Sequence, residues 1–216
     1  MSTRTTLMVS LALILVAIVF SLAVYNRLPE QMASHWGVND RVNGTVSRFW
    51  GAFLMPIVSL AILGLFLLIP SIDPLKANIA RFRGIFNGFI AVMMVFLFYI
   101  HILTMLWNLG VQNFKMSAAL LPAIGLIFFF AGLMMSQAKR NFFIGIRTPW
   151  TLSSDRVWDQ THRVGSVLFM ICGVLAFVAA FFPGATAFGL IFAPLIGSSI
   201  FLVVYSYVLY QQETKT

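Results

Sequence analysis

Six runs of apolar residues, each about twenty residues long, constrain this chain more than any other feature of its sequence. At about 1.5 Å of rise per residue, a helix of that length crosses about 30 Å of hydrocarbon. Of the 216 residues, 60% are hydrophobic and 9% charged, and a water-soluble fold cannot bury that much apolar surface. We therefore predict an all-α polytopic integral membrane protein, a single membrane domain of residues 1–216. Its predicted spans are Leu7–Tyr25, Phe49–Pro70, Ile85–Leu109, Ser117–Gln137, Ser166–Pro183 and Ala187–Tyr210.

The distribution of Lys and Arg predicts the orientation of these spans. Segments on the side of the termini contain 10 basic residues and the segments on the other side contain 4. Because basic loops stay in the cytoplasm, both termini are predicted to be cytoplasmic. The N-terminal helix pair, 7–70, then has an outer loop at 26–48, and a later region, 117–183, has a cytoplasmic loop at 138–165. The first run exceeds the roughly 7–15 residues of a signal-peptide core, so we predict an uncleaved helix.

The outer loop is rich in turn-forming residues, at Gly37, Asn39-Asp40 and Asn43-Gly44, which predicts a compact turn structure. His35 and Trp36 lie next to this turn, and with Asp40 they are candidate binding residues. His35 and Asp40 are also of types that bind metals. Since no second His or Cys lies at ligand spacing, we predict neither a metal nor a cofactor.

The cytoplasmic loop contains the most unusual local sequence. Pro149 favours an extended Thr148, so Gly145 to Trp150 is predicted to be non-helical. A helix is then predicted to begin with Ser153 or Ser154 as N-cap and to continue into the fifth span. The candidate binding or signalling residues of this loop are Asn141, Arg147, Thr148, Pro149, Trp150, Trp158, His162 and Arg163.

Two interpretations of the arginines in this loop stay open. The predicted helix has Val157 and Trp158 on one side and charges on the other, as in helices that lie in the membrane interface. Its arginines would then bind lipid phosphates or a phosphate of a substrate. Alternatively, they only enforce the orientation of the chain in the membrane. The residues concerned are Arg140, Arg147, Arg156 and Arg163.

The third span contains a polar stripe of His101, Thr104 and Asn108. An ionisable group inside a membrane span suggests a function by default, such as transport. One His without a membrane-embedded carboxylate is a poor proton relay, and a structural, hydrogen-bonded His is the alternative.

Small residues predict where helices approach each other closely. They occur at Gly132 and Ser136 in the fourth span, at Gly173, Ala176 and Ala180 in the fifth, and at Ala193 and Gly197 in the sixth. We expect these faces to pack against neighbouring helices.

The sequence gives no support for an enzyme or a nucleic-acid-binding protein. It has no His-Glu-x-x-His, no Walker loop, no Cys cluster and no paired carboxylates at membrane depth. The basic residues lie at the ends of apolar runs instead of forming one soluble face, so direct binding of nucleic acid is not predicted.

Both loops resemble those of a known bacterial group, the SdpI family. Asn141-x-x-x-Gly145-Ile146-Arg147-Thr148-Pro149-Trp150-Thr151-Leu152, followed by Trp158 and Thr161-His162-Arg163, is similar to the SdpI motif. The stretch from Leu28-Pro29 to Gly44, with Ser34-His35-Trp36-Gly37, resembles a domain of unknown function that commonly precedes it. Asp73-Pro74 and Asn78 resemble the second loop of the family.

This resemblance implies a non-enzymatic multispan protein of the bacterial inner membrane. It implies immunity to a hydrophobic antimicrobial peptide toxin, met by the outer loop, and sequestration of a cytoplasmic transcriptional repressor. The alternative prediction is a transporter of small molecules or lipids, or a lipid-handling protein, that uses His101 and the arginine loop.

Overall fold

The computed structural model describes residues 1–215 and consists of long helices with one small β-hairpin. The elements are α1 (Thr3–Val24), a 3₁₀ turn (Tyr25–Arg27), β1 (Gln31–Trp36), β2 (Val42–Ser47), α2 (Arg48–Ile72), α3 (Lys76–Arg81), α4 (Arg83–Asn108), α5 (Met116–Met135), α6 (Pro149–Ser153), α7 (Asp155–Ala179) and α8 (Gly184–Glu213). Six of these helices, α1, α2, α4, α5, α7 and α8, are long and apolar enough to cross a membrane. The chain is therefore a polytopic all-α membrane protein, as predicted.

The six helices form two groups of three. In one group α1 and α2 pack on α4, and in the other α7 lies between α5 and α8. Packing of α4 on α5 joins the groups. The loops lie at two ends, which we call the hairpin side, where β1 and β2 lie, and the terminal side, where α1 begins and α8 ends. On the terminal side the Met1 ammonium group donates to the Gly84 carbonyl oxygen at 3.1 Å.

The tightest helix contact joins α5 to α7 through glycines. A Cβ atom on Gly132 would lie 2.6 Å from the carbonyl oxygen of Ser166, and one on Gly173 would lie 2.6 Å from that of Gly125. Small residues allow such an approach, which confirms the predicted packing at Gly132 and Gly173. The prediction for α8 was wrong, because Ala193 and Gly197 are exposed on its outer surface.

The outer loop folds as an antiparallel β-hairpin, which the turn residues alone did not predict. Its strands pair from Gln31 with Ser47 to Trp36 with Val42, with irregular register around His35. The tip is compact, as expected from its composition, and Asp40 adopts a left-handed backbone with φ of 57°. Asp is one of the few non-glycine residues that tolerate this conformation, because its side chain forms local hydrogen bonds.

The start of α7 agrees with the sequence, and the segment before it differs. Ser154 is the N-cap and accepts from the Val157 amide, as predicted. The expectation that Gly145 to Trp150 is non-helical was wrong at its end, because α6 begins at Pro149. Proline is favoured at the first position of a helix, where no N–H is needed, and Thr148 before it is extended as predicted.

Candidate functional site

The β-hairpin is held to the first group of helices by Asn108. The Asn108 side-chain oxygen accepts from the Ala33 amide at 2.8 Å, and its side-chain nitrogen donates to the Ala33 carbonyl at 3.0 Å. The amide thus pairs with the free edge of β1 as a neighbouring strand would. Asn108, predicted as part of an intramembrane stripe, fixes the position of the hairpin.

The hairpin tip is held to the second group of helices by Asp40. Its two carboxylate oxygens accept from the backbone N–H and the hydroxyl of Ser117, each at 2.7 Å. Ser117 lies in the first turn of α5, where amide donors have no helical partner and negative charge is favourable. Lys115, the N-cap of α5, makes no side-chain cap, so Asp40 supplies the cap from a distant part of the chain.

A cavity of about 410 Å³ lies beneath the hairpin, between the two groups of helices. Its walls are apolar residues of α2, α4, α5 and α8, and its roof is the hairpin with His35, Trp36 and Asp40. Polar groups are few and lie near the roof, namely Ser34, Thr104 and Ser117 beside the hairpin residues. We call this cavity the groove. An apolar site with a few polar groups at one end is typical of pockets for hydrophobic ligands.

The three candidate residues of the outer loop all line this groove. The His35 ring nitrogen Nδ1 bonds to the Asn43 side-chain oxygen. Trp36 packs edge-to-face on Trp107, with ring centroids 5.6 Å apart. The hairpin therefore presents these side chains on a fixed support at the upper end of the groove.

His101 lies away from the groove and is 1% exposed. Pro56 lacks an N–H, which leaves the Ala52 carbonyl of α2 without its helical donor. The Ser21 hydroxyl donates to that carbonyl at 2.7 Å and accepts from His101 Nε2 at 3.1 Å. His101 thus belongs to a structural network joining α1, α2 and α4, whereas Thr104 faces the groove. The three residues of the stripe do not share one pathway.

On the terminal side, Asn141 organises the long loop, residues 136–154, and is completely buried. Its side-chain oxygen accepts from the amides of Phe143 and Ile144 at 2.9 and 2.6 Å. Its side-chain nitrogen donates to the carbonyls of Lys139 and Ile144. A single amide therefore satisfies four backbone groups of the loop.

His162 and Trp158 support the same loop from α7. Their rings stack with centroids 3.9 Å apart. His162 Nδ1 donates to the Trp158 carbonyl at 2.9 Å, and Nε2 accepts from the Ile146 amide at 3.0 Å. These partners fix a neutral imidazole. Gly145 has a φ of 107°, and a Cβ there would collide with the His162 ring, so glycine is required.

The candidate residues around α6 tie the long loop to α8. Thr148 forms a capping box with Thr151, and its hydroxyl is 3.0 Å from that of Ser206. The Trp150 ring packs on Tyr207 with centroids 5.0 Å apart. Pro149 begins the helix, so this part of the loop is held by both polar and aromatic contacts.

Asp73 and Asn78 connect the long loop to the preceding terminal-side loop. Asp73 accepts from the amides of Leu75 and Phe142 at 2.6 and 2.9 Å. Asn78 donates to the Arg140 carbonyl at 2.8 Å. No role was predicted for these two residues beyond their part in the family resemblance.

The arginines of the long loop and of the first turns of α7 divide into bound and exposed groups. Arg140 pairs with Asp155 at 2.7 Å and donates to the Leu152 carbonyl. Arg147 donates to the Phe142 carbonyl at 2.8 Å but is exposed, as are Arg156 and Arg163. Arg140 therefore has a structural role, whereas the other three present positive charge at the surface.

The helix at the start of α7 does not lie along the membrane interface, contrary to the prediction. Val157 and Trp158 are buried, and the Trp158 indole N–H donates to the Ala138 carbonyl at 2.9 Å. The apolar side of this segment therefore packs against the interior of the protein.

Sequence reasoning missed the apolar lining of the groove, including Leu54, Leu120, Phe188 and Leu195. These residues occur in ordinary membrane spans and give no local signal. Within residues 1–215, no group of three His, Cys, Asp or Glu side chains is placed to hold a metal ion.

Comparisons with known proteins match both regions described above. The model of the SdpI/YfhL protein family matches residues 137–206, which include the long loop, α7 and much of α8. A domain of unknown function, DUF1648, matches residues 12–60, which include the hairpin. The chain is 28% identical over 177 residues to the protein named Immunity protein SdpI of Bacillus subtilis (strain 168), covering 82% of each chain. No solved structure gives a significant match. The chain is therefore similar to the SdpI/YfhL family over residues 137–206 and to DUF1648 over residues 12–60, and it resembles Immunity protein SdpI over most of its length.

Proposed function

We propose that this protein gives immunity to a hydrophobic, membrane-active peptide toxin by binding the peptide at the groove under the hairpin. The observation that carries this proposal is the groove itself, an apolar cavity roofed by His35, Trp36 and Asp40. The similarity to Immunity protein SdpI supports the immunity role. This is a binding function, and it requires no catalytic group.

Several features of the groove suit a peptide that arrives within the membrane. Trp50, Leu54 and Phe192 line the groove and are 49%, 37% and 49% exposed, so the cavity opens sideways to the lipid. Apolar side chains of a bound helix would enter from that side, while its own backbone hydrogen bonds stay intact. The roof then offers polar groups to the end of the peptide at the membrane surface.

The excess of basic residues on the terminal side supports an orientation with both termini in the cytoplasm of a bacterium. In that orientation the hairpin faces outward, where a secreted peptide arrives. The chain then resides in the cytoplasmic membrane as one domain, with the DUF1648 region outside and the SdpI loop inside.

The terminal side supports a secondary role in regulation. Asp155 and Asp159 pair with Arg140 and Lys139, so the exposed arginines of α7 are not neutralised by them. We propose that a cytoplasmic repressor would contact this cationic surface. Asn141, Thr148, Trp158 and His162 would act there by holding the loop in shape.

Transport through His101 receives no support from the contacts of this residue. Its ring bonds to Ser21, and it does not line the groove. Within the stripe, Asn108 positions the hairpin and His101 joins packed helices.

Expression in a strain sensitive to a sporulation-delaying peptide toxin tests the proposal. We expect the natural chain to protect cells, and Leu195→Trp to abolish protection because the indole fills the groove. Ile196→Trp is the matched control, since Ile196 is 54% exposed on the same helix and does not line the groove. Equal protection by both variants, at equal membrane levels, would contradict peptide binding in the groove.

A further inference from the structure

A second cavity, which we call the roof pocket, lies on the hairpin next to the groove. Its volume is about 470 Å³. It is lined by His35, Trp36, Gly37, Val38, Asn39, Arg41, Asn43 and Phe188, and His35, Trp36, Gly37 and Phe188 also line the groove. The two cavities therefore adjoin each other at these four residues, and we call the pair of cavities the passage.

Apart from Asp40, the charged side chains at or near this passage are positive. Arg41 is exposed at the roof pocket, and its side chain has no ion pair within the described chain. Lys115 is exposed two residues before Ser117, the partner of Asp40. The Asp40 carboxylate is already bound by the N-terminus of α5. Two cations therefore remain for an external anion, together with the side-chain N–H groups of Asn43.

The apolar part of the passage is open to the membrane through Trp50, Leu54 and Phe192. A chain of methylene groups needs no hydrogen-bond partner there. An extended peptide backbone would leave its N–H and C=O groups without hydrogen-bond partners, which is unfavourable in a membrane. In the absence of a toxin, the chemistry of the groove thus favours an acyl chain.

We propose that the groove and the roof pocket together bind one anionic phospholipid from the leaflet on the hairpin side. One acyl chain lies between α2 and α8, and the phosphate lies at Arg41, with Lys115 and Asn43 beside it. Arg suits this role because its planar guanidinium donates two parallel hydrogen bonds to a phosphate. A peptide toxin that binds the groove must then displace this lipid.

Native mass spectrometry of the full chain tests this site. The protein is released from bilayers containing equal amounts of phosphatidylglycerol and phosphatidylcholine, and the retained lipid is identified. We expect one tightly held phosphatidylglycerol, with Arg41→Gln weakening its retention about fivefold because one cation near the surface is lost. Arg41→Lys should restore part of the retention.

The control is Arg156→Gln, which removes an exposed arginine on the terminal side and should leave this lipid in place. Two results would overturn the proposal: equal retention of phosphatidylcholine, or unchanged retention in Arg41→Gln. The measurement does not depend on immunity, since it uses purified protein and defined lipids.

Discussion

The hairpin side and the terminal side of this protein are built in opposite ways. On the terminal side, polar side chains of the long loop bond to its own backbone, as Asn141 does with four groups. On the hairpin side, two anchors, Asn108 and Asp40, hold a roof over an apolar cavity. The long loop is packed by its own contacts, whereas the hairpin encloses a cavity.

This comparison shows that the residues with the most unusual sequence pattern are not the residues that line the cavity. The polar pattern of the long loop looks like a site, but most of its groups already have partners within the loop or in α7 and α8. The groove consists of ordinary apolar residues, and its roof supplies the few polar groups. We therefore propose that ligands bind on the hairpin side and that the polar residues of the terminal side hold the long loop in shape.

The largest expected effect comes from Gly145→Ala on the terminal side. The new Cβ forces a strained backbone and displaces His162 from the Ile146 amide, for a loss of about 3 kcal/mol. Unfolding of the purified chain in mixed detergent micelles measures this loss. Gly88→Ala is the control, because a Cβ at Gly88 meets no atom within 4 Å. Equal stability of the two variants would show that the loop is less tightly packed than its contacts indicate.

A smaller and more local effect is expected on the hairpin side from Asp40→Gly. Glycine keeps the left-handed backbone but removes the cap of α5, which costs about 1 to 2 kcal/mol. Hydrogen exchange should become faster at residues 116–119 and in the hairpin, and remain slow in the long loop. Asn39→Gly serves as the control at the neighbouring tip residue. Faster exchange in the long loop as well would mean that the two ends are coupled.

The smallest effect is expected between the two sides, from Ser21→Ala. The Ala52 carbonyl and His101 both lose a partner, but hydrogen bonds between membrane helices average only about 0.6 kcal/mol. The same unfolding assay applies, with Ser199→Ala, an exposed serine bonded within its own helix, as the control. A loss of several kcal/mol would make this network the main support of the first helix group.

The spans were predictable because a membrane helix depends on length and hydrophobicity, which are local properties. The N-cap at Ser154 was predictable for the same reason, since a cap needs only the residues that follow it. The β-hairpin was missed because its pairing is stabilised by Asn108 and Ser117, both far away in the chain. Turn residues indicated where the loop bends but not that its arms would pair.

The candidate site was predictable only at its roof. His35, Trp36 and Asp40 belong to a distinctive loop, whereas Leu120 and Leu195 do not differ from other apolar residues of a span. Which apolar residues face a cavity depends on how α2, α5 and α8 are placed, and no short sequence pattern contains that information. The burial of Trp158 was misjudged for the same reason, because the Ala138 carbonyl that accepts from its indole N–H lies 20 residues earlier in the chain.

The cap that Asp40 gives to α5 also imposes an order on biogenesis. Asp40 is synthesised 77 positions before Ser117, so the tip of the hairpin is made before its partner helix exists. Until the third and fourth spans have been inserted, the carboxylate must remain hydrated at the surface. The completed cap therefore requires that the start of α5 has reached the same side as the hairpin.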